Sequence, residues 1–133
     1  MDKAELEKRT KQFALRIIAF AVTLPVGKTG DVIRYQLVKA GTSVGANYRE
    51  ANRAESRNDF IHKIGIVEKE ASESQYWLEI CDEANFGVSS ANGYYKSLVN
   101  FWPFSRALEE RLRRQGLNNS QSEIRNPKFL LCQ

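Results

Sequence analysis

Phe60, Ile64, Val67, Ala71, Ser74, Leu78 and Cys81 recur at alternating steps of four and three residues. A strict seven-residue repeat of small and apolar side chains makes a seam along one side of an α-helix. Because 3.5 residues per turn is slightly under-wound, the seam stays continuous in a supercoil and reads as that of a nearly antiparallel bundle. The boundaries are marked as well. Ser56 followed three residues later by Asp59 resembles a capping box with a shorter acid. Asn85 to Ser90 reads as a turn, with Gly87 available for a left-handed cap. The pattern predicts a helix over 57–83.

Three other segments carry helical periodicity. From Asp2 to Leu24 the apolar positions Leu6, Phe13, Ile17, Phe20 and Leu24 define one face, and Pro25 and Gly27 end the run. A second helix starts near Thr29 to Asp31, with Thr29 as the cap and Asp31 favouring the positive end of the helix dipole. Its inward stripe is Ile33, Leu37, Ala40, Val44, Asn47 and Ala51. The fourth begins near Ser89 or Ser90, carries Tyr94, Leu98, Phe101, Leu108 and Leu112, and ends at Gly116. Pro103 in its middle removes a backbone hydrogen bond and predicts a kink or break near Phe101. No strand pattern appears, and long helices joined by short turns predict an all-α, up-down-up-down four-helix bundle over 1–116. Residues 117–133 form a polar, aperiodic C-terminal tail that reads as mobile.

A chain of 133 residues with 42% hydrophobic and 27% charged residues has the composition of one ordinary globular domain. Cys81 and Cys132 match neither a metal spacing nor a disulfide framework, and Cys81 falls on the apolar seam beside Asp82 and Glu83. Reduced thiols in a cytoplasmic protein follow from that reading. The apolar run Ile17 to Val22 is interrupted upstream by Arg16, is far shorter than the ~20 residues of a membrane span, and lacks the anatomy of a secretion signal. It reads as a core helix, with no membrane partner.

Candidate chemistry is sparse, and no cofactor is implied. The single histidine, His62, excludes paired Glu-x-x-His metal motifs and His/Cys zinc clusters, and reads as a surface residue beside Lys63. Glu68, Glu70, Glu73 and Glu79 read as a solvated face. Gly27-Lys28-Thr29 lacks the first glycine of a phosphate-binding loop, since Val22 stands at that position. Ser43 has neither a base nearby nor a strand-to-helix elbow around it. The expectation is a protein with no catalytic residues.

Charge is segregated along the chain. The segment Arg57 to Glu83 has three bases and seven acids, a balance of −4, whereas everything after Asn85 has seven bases and three acids, a balance of +4. Two uses of this pattern compete. The acidic helix can pair with basic helices of its own or another subunit. Alternatively the clusters Lys8-Arg9-Lys11, Arg49-Arg53-Arg57 and Arg106-Arg111-Arg113-Arg114 form a surface for RNA or DNA phosphates.

Gly41-Thr42-Ser43-Val44-Gly45-Ala46-Asn47-Tyr48 sets two glycines inside the second helix, each costing roughly 1 kcal/mol against alanine. That run extends from Gln36 to Ala51. Together with Ser56, Asp59-Phe60-Ile61-His62-Lys63, Glu68-Lys69-Glu70-Ala71 and Glu73-x-x-Tyr76-Trp77-Leu78, it resembles the bacterial four-helix bundle family named after proteins encoded in 23S ribosomal RNA intervening sequences. The resemblance implies a left-handed up-and-down bundle that assembles as a homopentamer. It also implies similarity to the basic pentameric accessory protein of diversity-generating retroelements, which binds nucleic acid. The aromatic group Tyr94, Tyr95, Phe101, Trp102 and Phe104 and the proline at 103 depart from the family pattern.

In that frame Gly41, Gly45 and Tyr48 form a strip beside the inward stripe, where two glycines one turn apart admit another helix closely. Asn47 becomes a buried polar lock on register, with Thr42, Ser43 or Glu70 as partners. Tyr76 and Trp77 join these as helix-packing or interface residues. The functional expectation is an oligomeric, non-enzymatic accessory or adaptor protein that touches nucleic acid through its basic surfaces, against the alternative of a protein-only scaffold with a protein partner.

Overall fold

A computed structural model describes residues 2–86. They form α1 (Lys3–Ala21), α2 (Lys28–Ala51) and α3 (Arg57–Glu83), with no strand among the described residues. The expected fourth helix, the kink at Pro103, the Gly87 cap and the 117–133 tail lie outside the described residues.

α1 opens on Asp2, whose carboxylate accepts from the Glu5 N–H at 2.7 Å. Its apolar face is the one the spacing defines: Leu6, Phe13, Ile17 and Phe20 are buried, and Leu24 is buried just past the last helical residue. After Ala21 the backbone tightens, with Thr23 N–H bonded to Phe20 O at 2.9 Å and Leu24 N–H to Ala21 O at 3.2 Å.

α2 begins one residue earlier than the capping signal suggests. Gly27 is the N-cap at φ 133°, and no side chain caps the helix, so Thr29 does not perform that role. Gly30 turns its bare Cα against the Pro25 carbonyl, where any Cβ would collide with the oxygen. This close approach folds α2 back onto α1. α2 is the central element of the three, packing on α1 along one side and on α3 along another.

Its two interfaces explain a departure from the expected stripe. Ile33, Leu37, Ala40, Val44 and Ala51 are buried, but Asn47 is only half-buried, and its Nδ2 donates to Ser43 O of its own helix at 2.8 Å. It locks no register. Tyr48 takes the inward position instead and is fully buried rather than lying beside the stripe. At 3.6 residues per turn, a helix buried on two sides needs a wider apolar arc, and Gly41 and Tyr48 supply the second edge of it.

Gly41 and Gly45 make the close approach that their spacing suggests, and the approaching helix is α1 of the same chain. An alanine Cβ at Gly41 would stand 2.8 Å from Cγ1 and Cγ2 of Ile17, and one at Gly45 would stand 3.4 Å from the Thr10 backbone and hydroxyl. The interior is dense here, and the lost helix propensity is offset by dispersion contacts. Thr10 is itself buried, its hydroxyl donating to Glu7 O at 3.1 Å.

α3 follows its heptads throughout. The buried residues are Phe60, Ile64, Val67, Ala71, Ser74, Leu78 and Cys81, all seven positions of the seam. Ser56 caps the helix by accepting from Asp59 N–H at 3.1 Å, while the Asp59 carboxylate accepts from Glu55 N–H at 3.3 Å. Buried Ser74 donates to Glu70 O at 2.8 Å, so no unmet hydroxyl is left in the seam. The helix ends in a Schellman arrangement, with Phe86 N–H on Cys81 O at 2.8 Å and Asn85 N–H on Asp82 O at 3.1 Å. Asn85, at φ 49°, takes the left-handed position expected of Gly87. Asparagine tolerates that conformation better than other residues with a Cβ.

Candidate nucleic-acid interface

The antiparallel course of α1 and α2 brings the start of α1 beside the turn between α2 and α3. Two contacts clip them together: Asn52 Nδ2 donates to Glu7 Oε1 at 2.8 Å, and Lys3 Nζ reaches Asn52 O at 3.5 Å. Two basic clusters far apart in sequence therefore meet at one end of the helices. Lys8 and Lys11 are exposed on α1, Arg49 on the last turn of α2, Arg53 in the turn, and Arg57 at the first position of α3. Lys3 belongs with them, although the sequence clusters passed it over. Arg106, Arg111, Arg113 and Arg114 lie outside the described residues.

Most acids at this end are engaged in local contacts, and Glu55 in the turn is exposed. Glu5 pairs with Arg9 at 3.1 Å, which leaves Arg9 half-buried and turned to its own helix. Lys63 sits 3.8 Å from both Glu50 and Asp59. Asp2 and Asp59 also accept from backbone N–H groups. The positive ends of the α1 and α3 dipoles point the same way as the exposed lysines and arginines, adding to the potential an anion meets here.

The other end of the α1/α2 pair has a different character. Steps of three and four residues align Lys8, Lys11, Leu15, Ile18 and Val22 along α1, and Leu15, Ile18 and Val22 are 57%, 42% and 73% exposed. From Arg53 in the turn, the strip Arg49, Ala46, Thr42, Lys39 and Tyr35 runs the same way along α2, and Tyr35 and Val32 are exposed. Both strips change from basic at one end to apolar at the other. An open groove of about 430 Å³ lies at the apolar end, lined by Asp31, Arg34, Tyr35, Val38 and Lys39.

Arg34 is the residue that organises this end, and no periodicity singles it out. Its Nε donates to Ala21 O at 3.1 Å and its Nη2 to Leu24 O at 2.8 Å, while Nη1 pairs with Asp31 at 2.7 Å. One guanidinium thereby adds a second donor to Ala21 O, which already accepts from Leu24 N–H, and satisfies Leu24 O just past the end of α1, a favourable place for a cation. The groove's single carboxylate is thus tied to an arginine and offers no acid–base pair.

The remaining chemical candidates are accounted for by packing. Thr42 and Ser43 donate back to Val38 O at 2.7 Å and Lys39 O at 2.6 Å, in the manner of helix hydroxyls. Cys81 is buried, and burial pushes its thiol up to about 11 from the ordinary 9.0, so it is a thiol and no nucleophile near neutral pH. His62 is exposed. Among the described residues no group of His, Cys, Asp or Glu is placed to hold a metal ion, and no helix is long and apolar enough to cross a membrane. Tyr76 and Trp77 stack edge-to-face at 5.2 Å on the outer side of α3, with Tyr76 53% exposed and Trp77 Nε1 3.4 Å from Glu73.

Among the described residues the chain is a set of antiparallel helices packed on a glycine seam, with basic and apolar patches on its surface. The chain belongs to the 23S rRNA-intervening sequence protein family, whose profile matches residues 2–100. A crystal structure from Bacteroides thetaiotaomicron VPI-5482, described as a protein of unknown function from the S23 ribosomal protein family, is similar to it. That likeness has 32% identity and a TM-score of 0.64, and covers 76% of this chain and 91% of that one. No curated protein matches.

Proposed function

We propose that this protein is a self-assembling, non-enzymatic helical bundle of the cytoplasm that contacts RNA or DNA through its basic end. The observation that carries the reading is the meeting of Lys3, Lys8, Lys11, Arg49, Arg53 and Arg57 where α1 starts and α2 turns into α3. Cations gathered from three elements on a rigid frame suit a phosphate backbone, whose binding releases counterions and so weakens as salt rises.

Fluorescence anisotropy with structured RNA, single-stranded RNA and duplex DNA at two salt concentrations tests it. The expected result is measurable affinity at low salt that falls steeply at high salt, and weakening of about tenfold or more in a Lys8→Glu, Arg53→Glu variant. Loss of a phosphate contact lowers the salt slope by about 0.9. Absence of binding to all three ligands at low salt refutes the reading. The same charge reversal at Arg111, Arg113 and Arg114 tests whether that cluster shares the contact.

The exposed apolar strip Leu15, Ile18 and Val22 favours a second reading, a protein-only scaffold. A partner protein retained in pull-downs after nuclease treatment, with no affinity for nucleic acid, selects it.

A further inference from the structure

The basic end carries acids as well as cations, and the way each acid is held decides how many cations stay free. Glu5 pairs with Arg9, and Glu50 lies 3.8 Å from Lys63, so each of these carboxylates engages a cation. Glu7 is held differently. Its Oε1 accepts from Asn52 Nδ2 at 2.8 Å, and Asn52 is the residue that caps the end of α2. A neutral amide bears no charge, so this contact uses up no cation.

Spacing along α1 makes the difference count. Lys3 and Lys11 stand four residues before and four residues after Glu7, one helical turn away on the same face. Glu7 with Lys11 has the orientation that favours an i,i+4 ion pair, the acid on the N-terminal side. Among the described residues neither lysine pairs with Glu7: Lys3 Nζ reaches Asn52 O at 3.5 Å, and Lys11 is exposed.

The amide has a definite direction. With Nδ2 on the carboxylate, Oδ1 is buried and has no hydrogen-bond partner among the described residues. The reverse orientation would turn oxygen toward oxygen, so Glu7 sets which way the amide points.

We propose that Asn52 is a positioning residue of the nucleic-acid site: it holds the Glu7 carboxylate against the end of α2 and so keeps the ammonium groups of Lys3 and Lys11 free for phosphates. The inference rests on the nucleic-acid reading and adds to it a residue that touches no phosphate. Without the amide, Glu7 turns to Lys11 and Lys3, and the site loses cations that have not themselves been mutated.

Fluorescence anisotropy across a salt series, with the same structured RNA, single-stranded RNA and duplex DNA, tests this on Asn52→Ala and on the double variant Asn52→Ala, Glu7→Gln. Asn52 stands at φ −67° and ψ −13°, a right-handed conformation that alanine adopts readily, so the helical circular dichroism is expected to match the wild type. Asn52→Ser, which lacks the amide, serves as a second variant. Asn52→Ala is expected to bind about three- to tenfold more weakly at low salt, with a salt slope lower by about 0.9 for each ammonium withdrawn. In the double variant the contact between residues 7 and 52 is equally broken but the carboxylate is gone, and affinity and slope are expected to return at least to wild-type values. A double variant as weak as Asn52→Ala reduces Asn52 to a brace of the turn and overturns the proposal, and so does wild-type affinity in Asn52→Ala; the nucleic-acid reading survives both. A wild type that binds none of the three ligands overturns that reading and this inference with it.

Discussion

Replacing Gly41 with alanine sets two opposing effects of known size against each other. In a helix interior the change stabilises by about 1 kcal/mol, because alanine has less backbone freedom to lose on folding. Here the added methyl would stand 2.8 Å from both Cγ atoms of Ile17 and 3.1 Å from its Cβ. Carbon pairs prefer ~3.5–4.0 Å, so the methyl lies well inside the repulsive wall. The atoms it meets form the stiff branched base of the side chain, and Ile17 is fully buried with no room to swing away. Overpacking of this kind costs about 1–3 kcal/mol, and the net expectation for Gly41→Ala is a loss of about 1 kcal/mol.

Gly45→Ala is the internal control, since its Cβ would meet Thr10 at 3.4 Å, close to ordinary contact, and most of the helix gain survives. Ile17→Ala alone costs about 2–5 kcal/mol, yet it removes both Cγ atoms that clash and leaves only the Cβ, at 3.1 Å. In that background Gly41→Ala is expected to change sign and stabilise by less than the ~1 kcal/mol of helix propensity, because the remaining Cβ contact is still tight. Urea unfolding followed by circular dichroism, with protein concentration held constant because assembly contributes to apparent stability, measures all four variants. The packing account fails if Gly41→Ala raises the midpoint as much as Gly45→Ala, or if truncating Ile17 leaves the sign unchanged.

Arg34→Met keeps the aliphatic stem but leaves the Ala21 and Leu24 carbonyls without their charged donor. A loss of about 1–3 kcal/mol in the same unfolding assay is expected, with Arg34→Lys intermediate because an ammonium cannot span both carbonyls and Asp31. In a Cys132→Ser background, which leaves Cys81 as the only thiol, alkylation at pH 8 is expected to proceed only as fast as the protein opens, since burial raises its pKa from 9.0 to about 11. The folded state holds this proton more tightly than the unfolded state, so stability is expected to be constant below about pH 9 and to fall as pH rises toward 11. Rapid alkylation of the native protein contradicts the burial of Cys81.

Local, periodic information was readable from the amino acids alone. The seam of α3 needed only its four-and-three spacing, and Ser56 and Asp59 marked its start, because a helix cap is settled within one turn. The core face of α1 and most of that of α2 came from the same logic. The glycine-rich run marked both a close approach and a family, since two missing side chains one turn apart admit little else.

Non-local arrangements were decided by packing. Thr29 has the chemistry of a cap but stands inside α2, because the tight return past Pro25 needs Gly27 at positive φ and Gly30 against a carbonyl. Asn47 fits the stripe of a helix buried on one side, whereas α2 is buried on two, and Tyr48 displaces it. Arg34 gave no signal in one dimension because its acceptors belong to the preceding helix. The basic end arises only when antiparallel packing returns the end of α2 to the start of α1. The sequence by itself determined which residues each helix hides, because a period defines a face. Only the tertiary structure decided which helix each face meets and which charges become neighbours, because those depend on distances between segments that periodicity does not encode.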